Sequence, residues 1–146
     1  MYETFASQVV LALVLFSVAF AWWKGGPTER VGALFNAIIC LGVTLFQVLV
    51  QESFHTIPIL IADGVLAVGF LILALRYASL WLGAAMLLQA IGFSMHSMLL
   101  MEIVRPGYYY YAVMNLMSVG VLLAIIVGTA KAWSVRRREA RLARTA

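Results

Sequence analysis

Charge is what this chain has least of. Only 11% of its 146 residues are charged, while 64% are hydrophobic and the mean hydropathy is +1.00. A water-facing domain uses roughly 25% charged and 45–50% apolar residues. There is too little polar surface here to coat a soluble particle, so lipid is the expected solvent. Cysteine is nearly absent too. Cys40 is the single one, which excludes an intrachain disulfide framework. Its neighbours, "AIICLGV", are apolar, and it reads as a small core residue. Histidine is confined to His55 and His96, too few for zinc when thiolates are also lacking. No P-loop, dinucleotide fingerprint, nucleophile elbow, HExxH motif or pair of catalytic carboxylates is present, so neither an enzyme nor a cofactor is expected. No β alternation is sustained, which argues against an outer-membrane barrel.

What is present is a set of five apolar runs, at about 5–23, 31–50, 56–75, 80–101 and 108–132. Each is long enough to cross roughly 30 Å of hydrocarbon at about 1.5 Å per residue. The first begins "MYETF", without a positive start, and is expected to be a retained span rather than a signal peptide. "KGGPTER" separates the first two runs, with Gly25, Gly26 and Pro27 as helix breakers and a new helix starting at Thr28. The connections are short, so successive helices should be antiparallel neighbours. The expected fold is all-α: a five-helix transmembrane bundle over 1–135 and a basic cytoplasmic tail over 136–146. The alternative is four spans with one segment lying in the interface.

Charge supplies the expected orientation. With the C-terminus in the cytoplasm, Lys24, Arg30, Arg76, Lys131 and the tail arginines fall inside, and only Arg105 outside. That is a strong positive-inside bias, N-out and C-in. Trp22, Trp23, Trp81 and Trp133 would mark the inner boundary and Tyr108–Tyr111 the outer. Arg136, Arg137, Arg138, Arg141 and Arg144 are expected to touch anionic lipid or a partner protein, not nucleic acid.

Polar residues inside lipid are costly and tend to face a bundle interior or cavity. Asp63, His96 and Asn115 fall roughly 9–12 Å below the outer surface on three helices, and Gln47 sits nearer that surface on a fourth. Ala85, Gln89, Gly92 and His96 form one helical stripe, as do Asn36, Cys40, Thr44 and Gln47. A single carboxylate should be protonated or paired, and His96 is the basic group at its depth. Asp63, His96, Asn115 and Gln47 are therefore the expected ligand or proton site, or else a purely structural hydrogen-bond network. Glu52, His55, Glu102, Tyr108 and Tyr111 would form its rim. Copper(I) ligation by His96, Met95 and Met98 has soft ligands in its favour, although methionine commonly fills apolar gaps. Haem is disfavoured because His55 and His96 differ in depth.

Several short stretches also carry a resemblance. They are "GGPTER" after a Trp-ended run, Asp63 in the third run, "SLW" at 79–81, His96, and "YA" at 111–112. In these the chain resembles a group of small bacterial inner-membrane proteins of unknown function. The resemblance implies a bacterial cytoplasmic membrane and brings no activity, substrate or cofactor with it. The function expected overall is non-enzymatic: an accessory subunit docking laterally to other integral membrane proteins or to itself. The alternative is a small sensor or carrier with an outward polar pocket for a proton, small ligand or metal.

Overall fold

The computed structural model describes residues 2–49 and 56–145; the side chains of 2–7, 47, 48, 56 and 145 lie outside the described set. Among the described residues there are five helices and no strand: α1 (Tyr2–Lys24), α2 (Pro27–Leu49), α3 (Thr56–Tyr77), α4 (Leu80–Leu100) and α5 (Tyr108–Thr145). Helices are what an apolar chain must form in lipid, where every backbone N–H needs a partner within its own segment. Four of them, α2 to α5, are long and apolar enough to cross a membrane; the described apolar stretch of α1, Gln8–Lys24, is shorter. The outer surface is covered with exposed large apolar side chains, including Leu15, Phe16, Ile38, Ile61, Leu87 and Leu116. Water-soluble monomers rarely expose apolar side chains on this scale.

The helix ends explain the chain reversals. α2 begins at Pro27, one residue before the expected Thr28, because a proline at the first helical position loses no hydrogen bond. The Gly26 N–H donates to Oε2 of the buried Glu29 at 2.8 Å, which ties the turn to the first helical turn. At the end of α4 the Glu102 N–H donates to the Leu99 carbonyl at 3.1 Å and the Ile103 N–H to the Met98 carbonyl at 3.0 Å. This pair of bonds requires a left-handed residue, and Glu102 supplies it with φ 58°. Ala78 does the same after α3 with φ 46°. The basic tail is not a separate segment. It continues α5 without a break, and the 38-residue helix is roughly 57 Å long.

The helices pack in a ring, each against its sequence neighbours, with α1 closing against α5 and α2 reaching α5 across the middle. One half of the ring is dry. Ala21, Ala33, Leu66, Phe70, Leu82, Ala85, Val121 and Ile125 form a buried cluster to which all five helices contribute. The alanines let the backbones approach, as membrane bundles require. Phe70 meets Phe35 edge-on at 5.9 Å. Ser17 and Thr129 are buried in this packing but donate to their own helices' carbonyls, at 2.8 and 2.9 Å. The Trp81 indole is half-buried. It is wedged between α2 and α5 against Gly32 and Gly128, with Nε1 buried and without a hydrogen-bond partner among the described residues. Trp22 and Trp23 are exposed, and Lys24 lies over the rings of Trp23 and Trp133 at 4.3 and 5.0 Å.

Candidate functional site

The other half of the ring forms a partly open cavity of about 430 Å³, with Gln8, Thr44, Asn115 and Ser118 exposed in its wall. Every helix lines it. α1 gives Gln8 and Val14; α2 gives Asn36, Cys40 and Thr44; α3 gives Asp63 and Leu66; α4 gives Gln89 and His96; α5 gives Met114, Asn115 and Ser118. Val14, Leu66 and Val121 are shared with the dry packing and form the cavity's floor. The cavity therefore lies towards the end of the bundle that holds the start of α1 and the α4–α5 turn.

Its charged group is held by α4. Gln89 and His96 are seven residues apart, two helical turns on one face, and Asp63 of α3 reaches between them. The Gln89 side-chain amide donates to Asp63 Oδ1 at 2.5 Å. His96 Nδ1 lies 2.8 Å from Asp63 Oδ2. That distance suits an ion pair, but the two groups are not aligned as a hydrogen bond, and neither atom has a directed partner among the described residues. Gly92 lies midway between the two arms, and a Cβ there would meet Asp63 Oδ2 at an ordinary contact distance of 3.7 Å. Tyr110 of α5, only 5% exposed, packs edge-on against the imidazole at 5.9 Å. An ionised carboxylate at mid-membrane costs about 3 kcal/mol on insertion scales. The Gln89 amide and the His96 imidazole are the groups beside Asp63 that can offset that cost.

Asp63, His96 and Asn115 thus share one cavity wall. Gln47 belongs to α2, but its side chain lies outside the described residues, as do Glu52 and His55 altogether. Glu102, Tyr108 and Tyr111 are exposed and do not line the cavity. Tyr110, rather than Tyr111, is the aromatic contact of His96. Met95 and Met98 are turned away from His96 around α4, since positions one before and two after project about 100° and 200° from it. Met98 is 42% exposed, and the methionine that reaches the cavity is Met114. No group of three or more His, Cys, Asp or Glu residues among the described residues could hold a metal ion. Gln89, Tyr110 and Cys40 extend the expected set. Gln89 was findable from its seven-residue spacing to His96. Cys40, read as core, faces the cavity with its stripe partners Asn36 and Thr44.

At the opposite end the tail arginines divide. Arg136 turns back to α1, donating through Nη1 to the Gly25 carbonyl at 3.3 Å and through Nη2 to the Lys24 carbonyl. A guanidinium at a helix C-terminus satisfies orphan carbonyls and opposes the helix dipole. Arg137 stacks over Trp133 at 4.1 Å. Arg138, Arg141 and Arg144 extend along the exposed end of α5. Comparison with known protein families, characterised proteins and solved structures finds no match for this chain.

Proposed function

We propose that this chain is a small membrane-embedded binding protein, a sensor or carrier whose polar cavity takes up a small ligand or a proton. It crosses a bacterial cytoplasmic membrane five times, N-terminus outside and tail in the cytoplasm. The cavity then belongs to the outer half of the bilayer. The observation that supports binding most is the cavity itself: about 430 Å³, lined by all five helices, with one carboxylate in its wall. Residues devoted only to packing would have closed that volume, since bundle interiors otherwise pack to near-crystal density. The orientation rests on charge, because Lys24, Arg30, Arg76, Lys131 and the tail arginines share one end. The fifth crossing rests on α1, which is 23 residues long and packs along both α2 and α5.

Lateral docking as an accessory subunit has less in its favour. An apolar groove of about 720 Å³ does run between α1 and α2, past Leu15, Trp22, Leu34 and Leu41. Lipid acyl chains fill such a groove as well as a partner helix does, so it gives docking no support of its own. Catalysis is not part of the reading, because the cavity offers a proton-holding pair without a nucleophile bonded to it among the described residues.

Cys40 tests the cavity directly, because it is the sole thiol and lies in the wall. The purified chain in mild detergent is treated with iodoacetamide, a small neutral water-soluble reagent, and followed by intact mass. Binding predicts alkylation of the folded protein, slowed when Thr44 or Asn36 is replaced by a bulky apolar residue. A thiol that reacts only after denaturation would rule out a water-filled cavity.

A further inference from the structure

We infer that the cavity selects a small organic cation, a protonated amine or quaternary ammonium, and that this cation and a proton on His96 exclude one another. The inference rests on the binding function just proposed and names the class of ligand. Among the described residues lining the cavity, Asp63 is the only acid and His96 the only base, and no Lys or Arg takes part. The rest of its polar wall is neutral: Gln8, Asn36, Thr44, Asn115 and Ser118. The basic residues lie elsewhere, with Lys24, Arg30, Arg76, Lys131 and the arginines of α5 at the far end and Arg105 in the exposed α4–α5 turn.

The charge inside the cavity therefore has two values while Asp63 is ionised. With His96 protonated the pair sums to zero. With His96 neutral it sums to minus one, and Oδ1 keeps its bond to Gln89 while Oδ2 has no directed donor among the described residues. In neither state does the wall attract an anion. The groups that face His96 do not change this sum. Asp63 comes from α3 and the Tyr110 ring from α5, with Tyr111 edge-on to Tyr110 at 5.3 Å, while Cys40 of α2 and the uncharged Gln8 of α1 line the same cavity. A carboxylate in a low-dielectric surround acts over several ångströms, so the cation need not touch it. The cavity is far larger than a bare metal ion needs, and its neutral donors and acceptors suit an organic body around the charge. Loading the cation is thus equivalent to unloading the proton. Ligand uptake strengthens when His96 gives up its proton and weakens when it takes one up.

Charged thiol reagents read this out. The purified chain is treated with methanethiosulfonate ethyltrimethylammonium or with the anionic ethylsulfonate, and the rate at Cys40 is taken from intact mass. The ratio of the two rates cancels the thiolate fraction, which is common to both. Relative to the same ratio at a free low-molecular-weight thiol, we expect the cation to be favoured by on the order of tenfold or more near pH 8, although the chain's formal net charge is +4. The ratio should fall severalfold as the medium is acidified and His96 takes up a proton. Asp63→Asn should remove the preference. His96→Gln should keep it and abolish its pH dependence. Tetraethylammonium should slow cationic labelling of the wild type. That competition and the wild-type pH profile keep the test decisive should Asp63→Asn fold poorly. A ratio equal to that of the free thiol, or a full preference in Asp63→Asn, would overturn cation selection while leaving the cavity in place. No reaction with either reagent or with iodoacetamide would overturn the cavity itself.

Discussion

The socket around Trp81 tests how the dry half of the bundle is held. A Cβ added to Gly32 would lie 2.8 Å from the indole Cη2, and one added to Gly128 would lie 2.6 Å from both Cδ1 and Cδ2. Carbon atoms prefer a separation of about 3.5–4.0 Å, so the overlap at Gly128 is roughly 1 Å. The far end of a flexible side chain would step aside. An indole pinned between α2 and α5 moves only by separating helices. Overpacking of this kind costs about 1–3 kcal/mol, and helix propensity returns at most about 1 kcal/mol of it. Gly42 is the internal control, because its Cβ would meet nothing within 4 Å. We expect Gly42→Ala to be neutral or slightly stabilising and Gly128→Ala to be clearly destabilising. The assay is reversible unfolding in mixed micelles with increasing dodecyl sulfate, followed by far-UV circular dichroism. Adding Trp81→Leu vacates the socket, so the pair should be non-additive by about 1 kcal/mol or more. A Gly128→Ala protein that unfolds at the same detergent fraction as Gly42→Ala would refute the socket.

Three further outcomes follow from contacts described above. In a double-mutant cycle, Asp63→Asn and Gln89→Leu should show a coupling of about 0.6–1.7 kcal/mol, the range for interhelical hydrogen bonds in membranes; strictly additive losses would mean that the 2.5 Å contact contributes no stability. Glu102→Gly should raise the unfolding midpoint by up to about 1 kcal/mol, because glycine takes the left-handed conformation without the Cβ penalty; an unchanged or lower midpoint would count against strain at that turn. Arg136→Ala should cost about 1 kcal/mol and speed hydrogen exchange at Gly25 and Gly26, with Arg136→Lys in between; unaltered exchange there would show that the guanidinium does not hold the turn.

The polar layer was legible in the sequence because helical spacing and depth are both linear along the chain. Asp63, His96 and Asn115 could be put at one level by counting from the ends of the apolar runs. The stripe through Gln89, Gly92 and His96 could be put on one face. Counting does not say which neighbour fills the gap between two arms, so Gln89 was seen as part of a stripe and not as the donor to Asp63. Nor does it set helix rotation to better than one position: Tyr110 and Tyr111 differ by about 100° around α5, and it is Tyr110 that reaches the imidazole. Trp81 shows the same limit. Its level suited a surface anchor, but the glycines that admit its ring are far away in sequence, on α2 and α5. Arg136 was read as one of a lipid-facing cluster, since nothing local reveals that a side chain reaches back 111 residues to a carbonyl.

The unequal sharing of side-chain packing between the two halves of the ring has a mechanical consequence. Phe70, Leu82, Ile125 and the Trp81 wedge fasten all five rods at the arginine-bearing end, where Arg136 adds a further clasp. The end around Asp63 has fewer dry contacts and a void to be lost or filled. Local opening there severs less buried surface, so amides near Gln8 and Thr44 should exchange before those near Ala21 and Ile125. The molecule is keeled at one pole and compliant at the other, and the compliant pole is the one a solute would enter.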